Sequence, residues 1–276
     1  MVKKNQKQRL DLLLVHRQLC DSRHQAQSLI RAGHVKVDQQ VIDKPGQEVA
    51  LDAFLEVKER DLYVSRGGHK LAQALTEFAI PLENRICLDG GISTGGFTDC
   101  LLQGGAGKVY GIDVGYGQVH WQLRNDPRVI LKERTNLRHL TPGTLYGDTP
   151  LDQYPDLGVV DVSFISLTKI LPALWELLQP PRELILLVKP QFEVGREQVG
   201  KKGVVRDPQH QAQAIHQVGQ VAAHLGWGYQ GLTWSPLLGP AGNIEYLLWC
   251  KQNVPTFPPP ETLLNLTKLA QQALKS

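Results

Sequence analysis

The sequence is short of cysteine, of metal-ligand groupings and of long apolar runs. Its four cysteines, Cys20, Cys87, Cys100 and Cys250, are scattered, with no Cys-x-x-Cys pair. That excludes a disulfide scaffold and a cysteine-built metal centre, and makes reduced, mostly buried thiols of a cytoplasmic protein the expectation. His-Glu-x-x-His and clustered Cys/His spacings are missing too, so no metal is expected. The apolar run Leu184 to Val188 is far shorter than the ~20 residues that cross a bilayer. No apolar signal core follows the basic N-terminus. Acid is scarce at that end. Net charge is only +3, yet the first 36 residues hold Lys3, Lys4, Lys7, Arg9, Arg17, Arg23, Arg31 and Lys36 against Asp11 and Asp21. Such a basic end suits a polyanion partner.

What the chain does have is 42% apolar residues, enough for a core, in a length of 276 that suits one large and one small domain. The stretch Cys87 to Gln103, CLDGGISTGGFTDCLLQ, organises the rest. Arg85 to Leu88 reads as a short buried strand closed by Asp89. Gly90, Gly91, Gly95 and Gly96 make a turn that needs glycine backbone, and Phe97 to Leu102 start a helix. Strand, turn and helix N-terminus together make a nucleotide-type pocket at the carboxyl end of a parallel sheet. The turn is Asp-x-Gly-x-x-x-Gly-Gly-Phe rather than Gly-x-Gly-x-x-Gly. That favours S-adenosylmethionine, which has no pyrophosphate, over a dinucleotide. A purely structural glycine turn is the alternative.

In chain order, residues 1–8 read as a flexible basic tail, 9–58 as a helix–helix–strands module of α+β type, and 59–64 as a polar linker. Leu71, Ala74, Leu75 and Phe78 have helical spacing, with Lys70 at the start of that helix. Strands over Lys108–Asp113, Val129–Leu131, Leu157–Asp161 and Glu183–Lys189 alternate with helices. The pattern predicts a doubly wound, Rossmann-like α/β sheet over about residues 80–255, mainly parallel, with a final hairpin strand making one edge antiparallel. Asp113 has the separation of a ribose-binding carboxylate. Asn136 could face an adenine edge or cap a turn. The basic, glycine-rich loop 191–203 suits a mobile, RNA-facing lid.

Two resemblances follow from particular segments. Arg9-Leu10-Asp11-x-x-Leu14, Ser22-Arg23-x-x-Ala26, Ile30-x-x-Gly33-x-Val35-x-Val37 and Lys44-Pro45 resemble the S4-type RNA-binding domain. This implies that Arg9, Arg23, Arg31 and Lys36 contact RNA phosphates and shape. SRGGHKL (65–71), STGGFTDCLLQ (93–103), GIDVGYGQ (111–118), DVSFISL (161–167), LVKPQFEVGRE (187–197), KGVVRD (202–207) and GNIEYL (242–247) resemble the TlyA, or haemolysin A-like, family of ribosomal RNA methyltransferases. The second resemblance covers nearly the whole chain. It implies an FtsJ-like methyltransferase domain over 65–276, S-adenosylmethionine as cofactor, and 2′-O-methylation of cytidine in 16S and/or 23S ribosomal RNA, free or in subunits. It also implies a Lys-Asp-Lys-Glu tetrad, here Lys70, Asp161, Lys189 and Glu245. The expected cofactor contacts are Asp89, Gly91, Ser93, Gly95, Gly96, Phe97, Asp113, Asn136 and Asp161, and Arg66 joins the RNA contacts. Gly90-Gly91-Ile92 departs slightly from the small-residue form associated with the family.

The residue types make chemical sense. A ribose 2′-hydroxyl is a poor nucleophile and needs a base beside it while the methyl donor is held in line. A free lysine, pKa near ~10.4, is almost all protonated at neutral pH, and bringing it near neutrality costs about 4 kcal/mol. A second lysine about 4 Å away supplies roughly that much repulsion at an effective dielectric near 20. Lys189 is therefore expected as general base, Lys70 as its charged neighbour, and Asp161 and Glu245 as the groups that orient them. A non-catalytic RNA-binding or ribosome-assembly factor, a haemolysin and a nicotinamide-dependent oxidoreductase are the rival readings.

Overall fold

The computed structural model describes residues 6–58, 62–252 and 257–274. The chain divides into two units between residues 61 and 62. In the first, β1 (Lys7–Arg9) runs straight into α1 (Leu10–His16), followed by α2 (Arg23–Arg31), β2 (Val35–Val37), β3 (Gln40–Val41), β4 (Glu48–Ala50) and β5 (Leu55–Val57). Leu10, Leu13 and Leu14 of α1, Ala26, Leu29 and Ile30 of α2, and Val35 and Val37 of β2 close one core. Ser22 caps α2, its Oγ accepting Gln25 N–H at 3.2 Å. β2 pairs antiparallel with β3 and β5, and β1 with β4. Of the tail expected over 1–8, residues 1–5 lie outside the described residues. Lys7 and Gln8 are strand, because Ala50 and Val49 of β4 give their backbone a ladder. Residues 59–61 of the expected linker also lie outside the described residues.

The second unit opens on α3 (Gly67–Glu77), four residues before the helix start that apolar spacing predicts. Gly68 is inside it for packing. A Cβ on Gly68 would overlap the Tyr63 ring. There follow β6 (Ile86–Gly90), α4 (Gly96–Gln103), β7 (Lys108–Ile112), α5 (Trp121–Arg124), β8 (Val129–Lys132), α6 (Pro142–Tyr146), β9 (Leu157–Val160), α7 (Leu171–Leu177), β10 (Glu183–Val188), α8 (Pro190–Glu193), α9 (Pro208–Leu225), β11 (Trp227–Trp234), β12 (Tyr246–Gln252) and α10 (Pro260–Ala273).

Seven of these strands form one sheet in the order β11-β12-β10-β9-β6-β7-β8. β12 runs against its neighbours β10 and β11, and the β10-β9-β6-β7-β8 ladder is parallel throughout. β10 is buried along its whole length and faces two cores by turns. Leu184, Leu186 and Val188 pack with Leu171, Leu174, Ile215 and Val218 of α7 and α9. Ile185 and Leu187 pack with Leu71, Ala74 and Leu101 of α3 and α4. Helices on both faces explain why this strand reads as an unbroken apolar run. The parallel strands all end at one edge, and the site lies there.

Candidate active site at the carboxyl edge of the sheet

Four chain segments deliver charge to this edge. β9 and β10 are parallel neighbours, with Val160 opposite Leu186, so Asp161 follows β9 and Lys189 follows β10 at the same edge, two residues apart in register. β12 is antiparallel to β10, with Tyr246 opposite Val188. Extending that register by one residue puts Glu245 opposite Lys189. An antiparallel strand is what brings a residue before a strand to the same edge as residues after strands. Lys70 comes from the first turn of α3, which approaches α4 closely because Gly96 lacks a side chain. A Cβ there would lie 2.8 Å from Gly68 N.

The four groups form two ion pairs. Lys70 Nζ lies 2.6 Å from Glu245 Oε2, their side chains 12% and 1% exposed. Lys189 Nζ lies 2.6 Å from Asp161 Oδ1 and donates to Ser163 Oγ at 2.8 Å. The sequence led to the expectation of Lys70 beside Lys189, with Asp161 and Glu245 orienting them. In the structure each amine has one of those carboxylates as its partner, as a nearly buried ammonium needs a counter-charge. All four line one cleft of about 950 Å³.

Gly91, Ser93, Asp113, Asn136 and Asp161 of the nine expected cofactor residues line the same cleft. Gly91 has φ +89°, and a Cβ on it would sit 2.5 Å from the Asp161 carbonyl oxygen. Asp113 accepts Ser93 N–H on Oδ2 at 2.8 Å and Gly115 N–H on Oδ1 at 2.7 Å. Asn136 both lines the cleft and caps a 3-10 turn, accepting Arg138 N–H at 3.0 Å. Asp89, Gly95, Gly96 and Phe97 are buried and not among the lining residues. Asp89 Oδ2 accepts from Thr98 Oγ1 at 2.6 Å, tying β6 to α4. Burial pushes the Asp89 carboxyl up to about 7. The Thr98 hydrogen bond pulls the other way, and the charges of Asp161 and Asp113 add to the rise.

Some residues at the cleft lie inside the quoted motifs but have no role that sequence reasoning assigns. Phe164 has φ +66° and is 92% exposed, its ring 5.3 Å from that of Phe192. A large apolar side chain held out at the mouth of a cleft is the signal, and only coordinates give it. Glu193 is buried, accepts from Ser166 Oγ at 2.5 Å and Leu167 N at 2.9 Å, and so fixes the loop carrying Ser163 and Phe164 against α8. Burial raises its pKa against those two bonds. The loop expected as a mobile lid holds α8 and two 3-10 turns, Arg196–Gln198 and Lys201–Gly203. Asn243 pins its far end, donating to Gly203 O at 2.8 Å and accepting Val205 N–H at 2.9 Å.

In the first unit Asp11 is fully buried and collects Arg9 (Nε 3.0 Å, Nη2 2.9 Å), Arg23 (3.0 Å) and Gln27 (2.8 Å). The Arg9 hydrogen bonds hold the Asp11 carboxyl well below the usual carboxylate range, against the effect of burial. Arg9 and Arg23 remain about half exposed, at 42% and 53%. Arg31 and Lys36 in this unit, and Arg66 in the second, are exposed, and their side chains have no hydrogen bond or ion pair among the described residues. All four cysteines are buried and unpaired, and burial raises the thiol pKa of Cys87 to about 12 and of Cys100 to about 11.

Comparison with known proteins agrees with this layout. FtsJ-like methyltransferases match residues 63–252, and the S4 domain matches residues 8–54. The 16S/23S rRNA (cytidine-2′-O)-methyltransferase TlyA of Mycobacterium tuberculosis (strain ATCC 25618 / H37Rv) is 50% identical over 246 residues, 88% of this chain and 89% of that one. Hemolysin A of Brachyspira hyodysenteriae is 40% identical over 239 residues, 87% of this chain and 98% of that one. A solved structure described as "Putative hemolysin from Streptococcus thermophilus" superposes with a TM-score of 0.74 at 38% identity, covering 98% of each chain. Among the described residues no helix is long and apolar enough to cross a membrane. The chain belongs to the TlyA family, FtsJ-like methyltransferases that carry an S4 domain.

Proposed function

We propose that the protein transfers a methyl group from S-adenosylmethionine to the ribose 2′-hydroxyl of a cytidine in 16S and/or 23S ribosomal RNA. The observation that carries this reading is the pair of amine–carboxylate contacts at a cleft shared with the glycine turn and Asp113. The cleft suits the cofactor. Its volume, about 950 Å³, takes a nucleoside-sized ligand. Gly91 lines the cleft with bare backbone, and its φ of +89° and the Asp161 carbonyl oxygen 2.5 Å from a Cβ position keep a side chain out. Each Asp113 oxygen accepts one backbone N–H and keeps a lone pair for a ribose hydroxyl. Gly91, Ser93, Asp113, Asn136 and Asp161 would hold the cofactor directly, while Asp89, Gly95, Gly96 and Phe97 shape the turn beneath it. When bound, S-adenosylmethionine supplies a methyl carbon made electrophilic by its sulfonium.

Lys189 takes the proton. Once the ammonium has given up one proton to solvent, the amine has two N–H bonds and one lone pair. Asp161 and Ser163 accept the two N–H bonds, which leaves the lone pair for the substrate hydroxyl. Lys189 Nζ would take the hydroxyl proton as the ribose oxygen accepts the methyl group that the bound cofactor would supply. Asp161 then balances the ammonium. Lys70, held by Glu245, is a second cation for the developing oxyanion. Phe164 offers a face on which a base turned out of its stack can lie. Arg9, Arg23, Arg31, Lys36 and Arg66 hold the RNA backbone.

The test is transfer of labelled methyl from S-adenosylmethionine to ribosomal subunits lacking the mark, followed by digestion to nucleosides. The label is expected in 2′-O-methylcytidine. Binding of subunits without transfer, or label on a base, would replace this reading with an assembly factor or a different methyltransferase.

A further inference from the structure

We infer that Gln191 reads the base of the target nucleotide and selects cytosine by its exocyclic amino group. This rests on the proposed ribose methylation and adds what decides between pyrimidines. Four side-chain polar atoms among the described residues are sealed from solvent without a hydrogen-bond partner: His34 Nδ1, Glu56 Oε2, Asp89 Oδ1 and Gln191 Oε1. Only Gln191 of these four lines the cleft. A buried carbonyl oxygen without a donor is unfavourable, and a ligand that brings an N–H relieves it.

The position is right for a base. Gln191 lies two residues after Lys189, in α8. The backbone there is held by Phe192 N–H to Lys189 O at 2.9 Å and Val194 N–H to Pro190 O at 3.1 Å. Glu193 locks the same helix to Ser166 and Leu167, so Gln191 sits on a fixed support. A ribose with its 2′-oxygen at Lys189 carries its base on the adjacent carbon, a few ångströms away. Phe164 and Phe192, 5.3 Å apart, flank that space with aromatic rings. A base lying against them turns its Watson–Crick edge towards the amide two residues along from the base catalyst.

The hydrogen-bond pattern then selects. Cytosine presents an amino donor at N4 and an acceptor at N3. Gln191 Oε1 meets the donor and its Nε2 meets the acceptor. Uracil presents an acceptor at O4 and a donor at N3, the reverse pattern, which sets lone pair against lone pair at the buried oxygen. Sites that hydrogen-bond a substrate group discriminate strongly against the analogue lacking it.

The experiment uses the full-length protein, S-adenosylmethionine and ribosomal subunits lacking the modification, with 2′-O-methylated nucleosides counted by mass spectrometry. Gln191→Met keeps the length and removes both polar atoms, while Gln191→Glu keeps an acceptor and loses the donor. The Met variant should form 2′-O-methylcytidine at least tenfold more slowly at saturating cofactor, with cofactor Kd within twofold of wild type. The ratio of 2′-O-methyluridine to 2′-O-methylcytidine should rise, and the Glu variant should lose less rate. A Met variant within threefold of wild type, with an unchanged nucleoside ratio, overturns the inference and leaves ribose methylation standing. A loss confined to cofactor affinity makes Gln191 a cofactor residue and also overturns it. A wild-type protein that methylates no ribose removes the proposed function and this inference together.

Discussion

Glu245 is 1% exposed, and its carboxylate is held there by a single ammonium, that of Lys70, at 2.6 Å. Removing one partner of a buried pair leaves an uncompensated charge, which costs about 3–5 kcal/mol. Removing both leaves two neutral groups of similar size. Lys70→Ala should therefore lower stability by about that amount, while Lys70→Met combined with Glu245→Gln should restore most of it. Neither variant should methylate RNA. Urea denaturation gives the stabilities, and an alanine variant as stable as wild type would show that Lys70 is not what keeps Glu245 charged and buried. The same logic applies to Lys189, Asp161 and Ser163, where the paired groups also leave one amine position for substrate.

At the scale of elements, the joint between β6 and α4 carries a titrating group. Asp89 closes the strand, bonds Thr98 in the helix and has its pKa raised to about 7 by burial. In the unfolded chain it returns to about 4. Between those values the folded protein holds a proton that the unfolded chain has released, so this group makes stability fall as pH rises from about 4 to about 7, and adds no slope above. Asp89→Asn stays neutral throughout, so its stability relative to wild type should climb across that window in cofactor-free protein. A difference that stays flat with pH would mean Asp89 is ionised in the fold. This joint was legible in the sequence, because an apolar run ending in Asp and then glycine marks where a parallel strand meets its ligand edge. Asp113, Asp161 and Lys189 were legible for the same reason. Lys70 and Glu245 carry no local signal, and only whole motifs pointed to them. Phe164, Gln191, Ser163 and Asn243 lie inside the quoted motifs, but their roles were not legible: Ser163 and Asn243 matter through Lys189 and Gly203, which sequence distance hides, and Phe164 and Gln191 stand out only by exposure and by an unpartnered oxygen. The start of α3 was missed because apolar spacing begins only at Leu71, whereas Gly68 is in the helix as a packing position under Tyr63.

At the scale of the whole molecule, the S4 domain and the methyltransferase domain occupy separate units. In the S4 unit, Asp11 fixes Arg9 and Arg23 from inside, while Arg31 and Lys36 present charge not committed to any partner among the described residues. Each phosphate contact contributes roughly 0.7–0.9 to the slope of log affinity against log salt. Arg31→Ala with Lys36→Ala should weaken binding to ribosomal RNA and flatten that slope by about 1.5. Methyl transfer at saturating RNA should be unchanged. An unaltered slope would remove both residues from the RNA surface.

The proposed chemistry turns on the amine of Lys189 accepting the ribose proton. A positioned general base is worth about 10²–10⁴ in rate. The direct measurement is single-turnover methyl transfer to unmodified ribosomal subunits by wild type and Lys189→Ala, with S-adenosylmethionine binding followed by calorimetry. A rate lower by about 100-fold or more, with cofactor affinity kept, is the expected result. A variant that binds cofactor and methylates at near wild-type rate would contradict it.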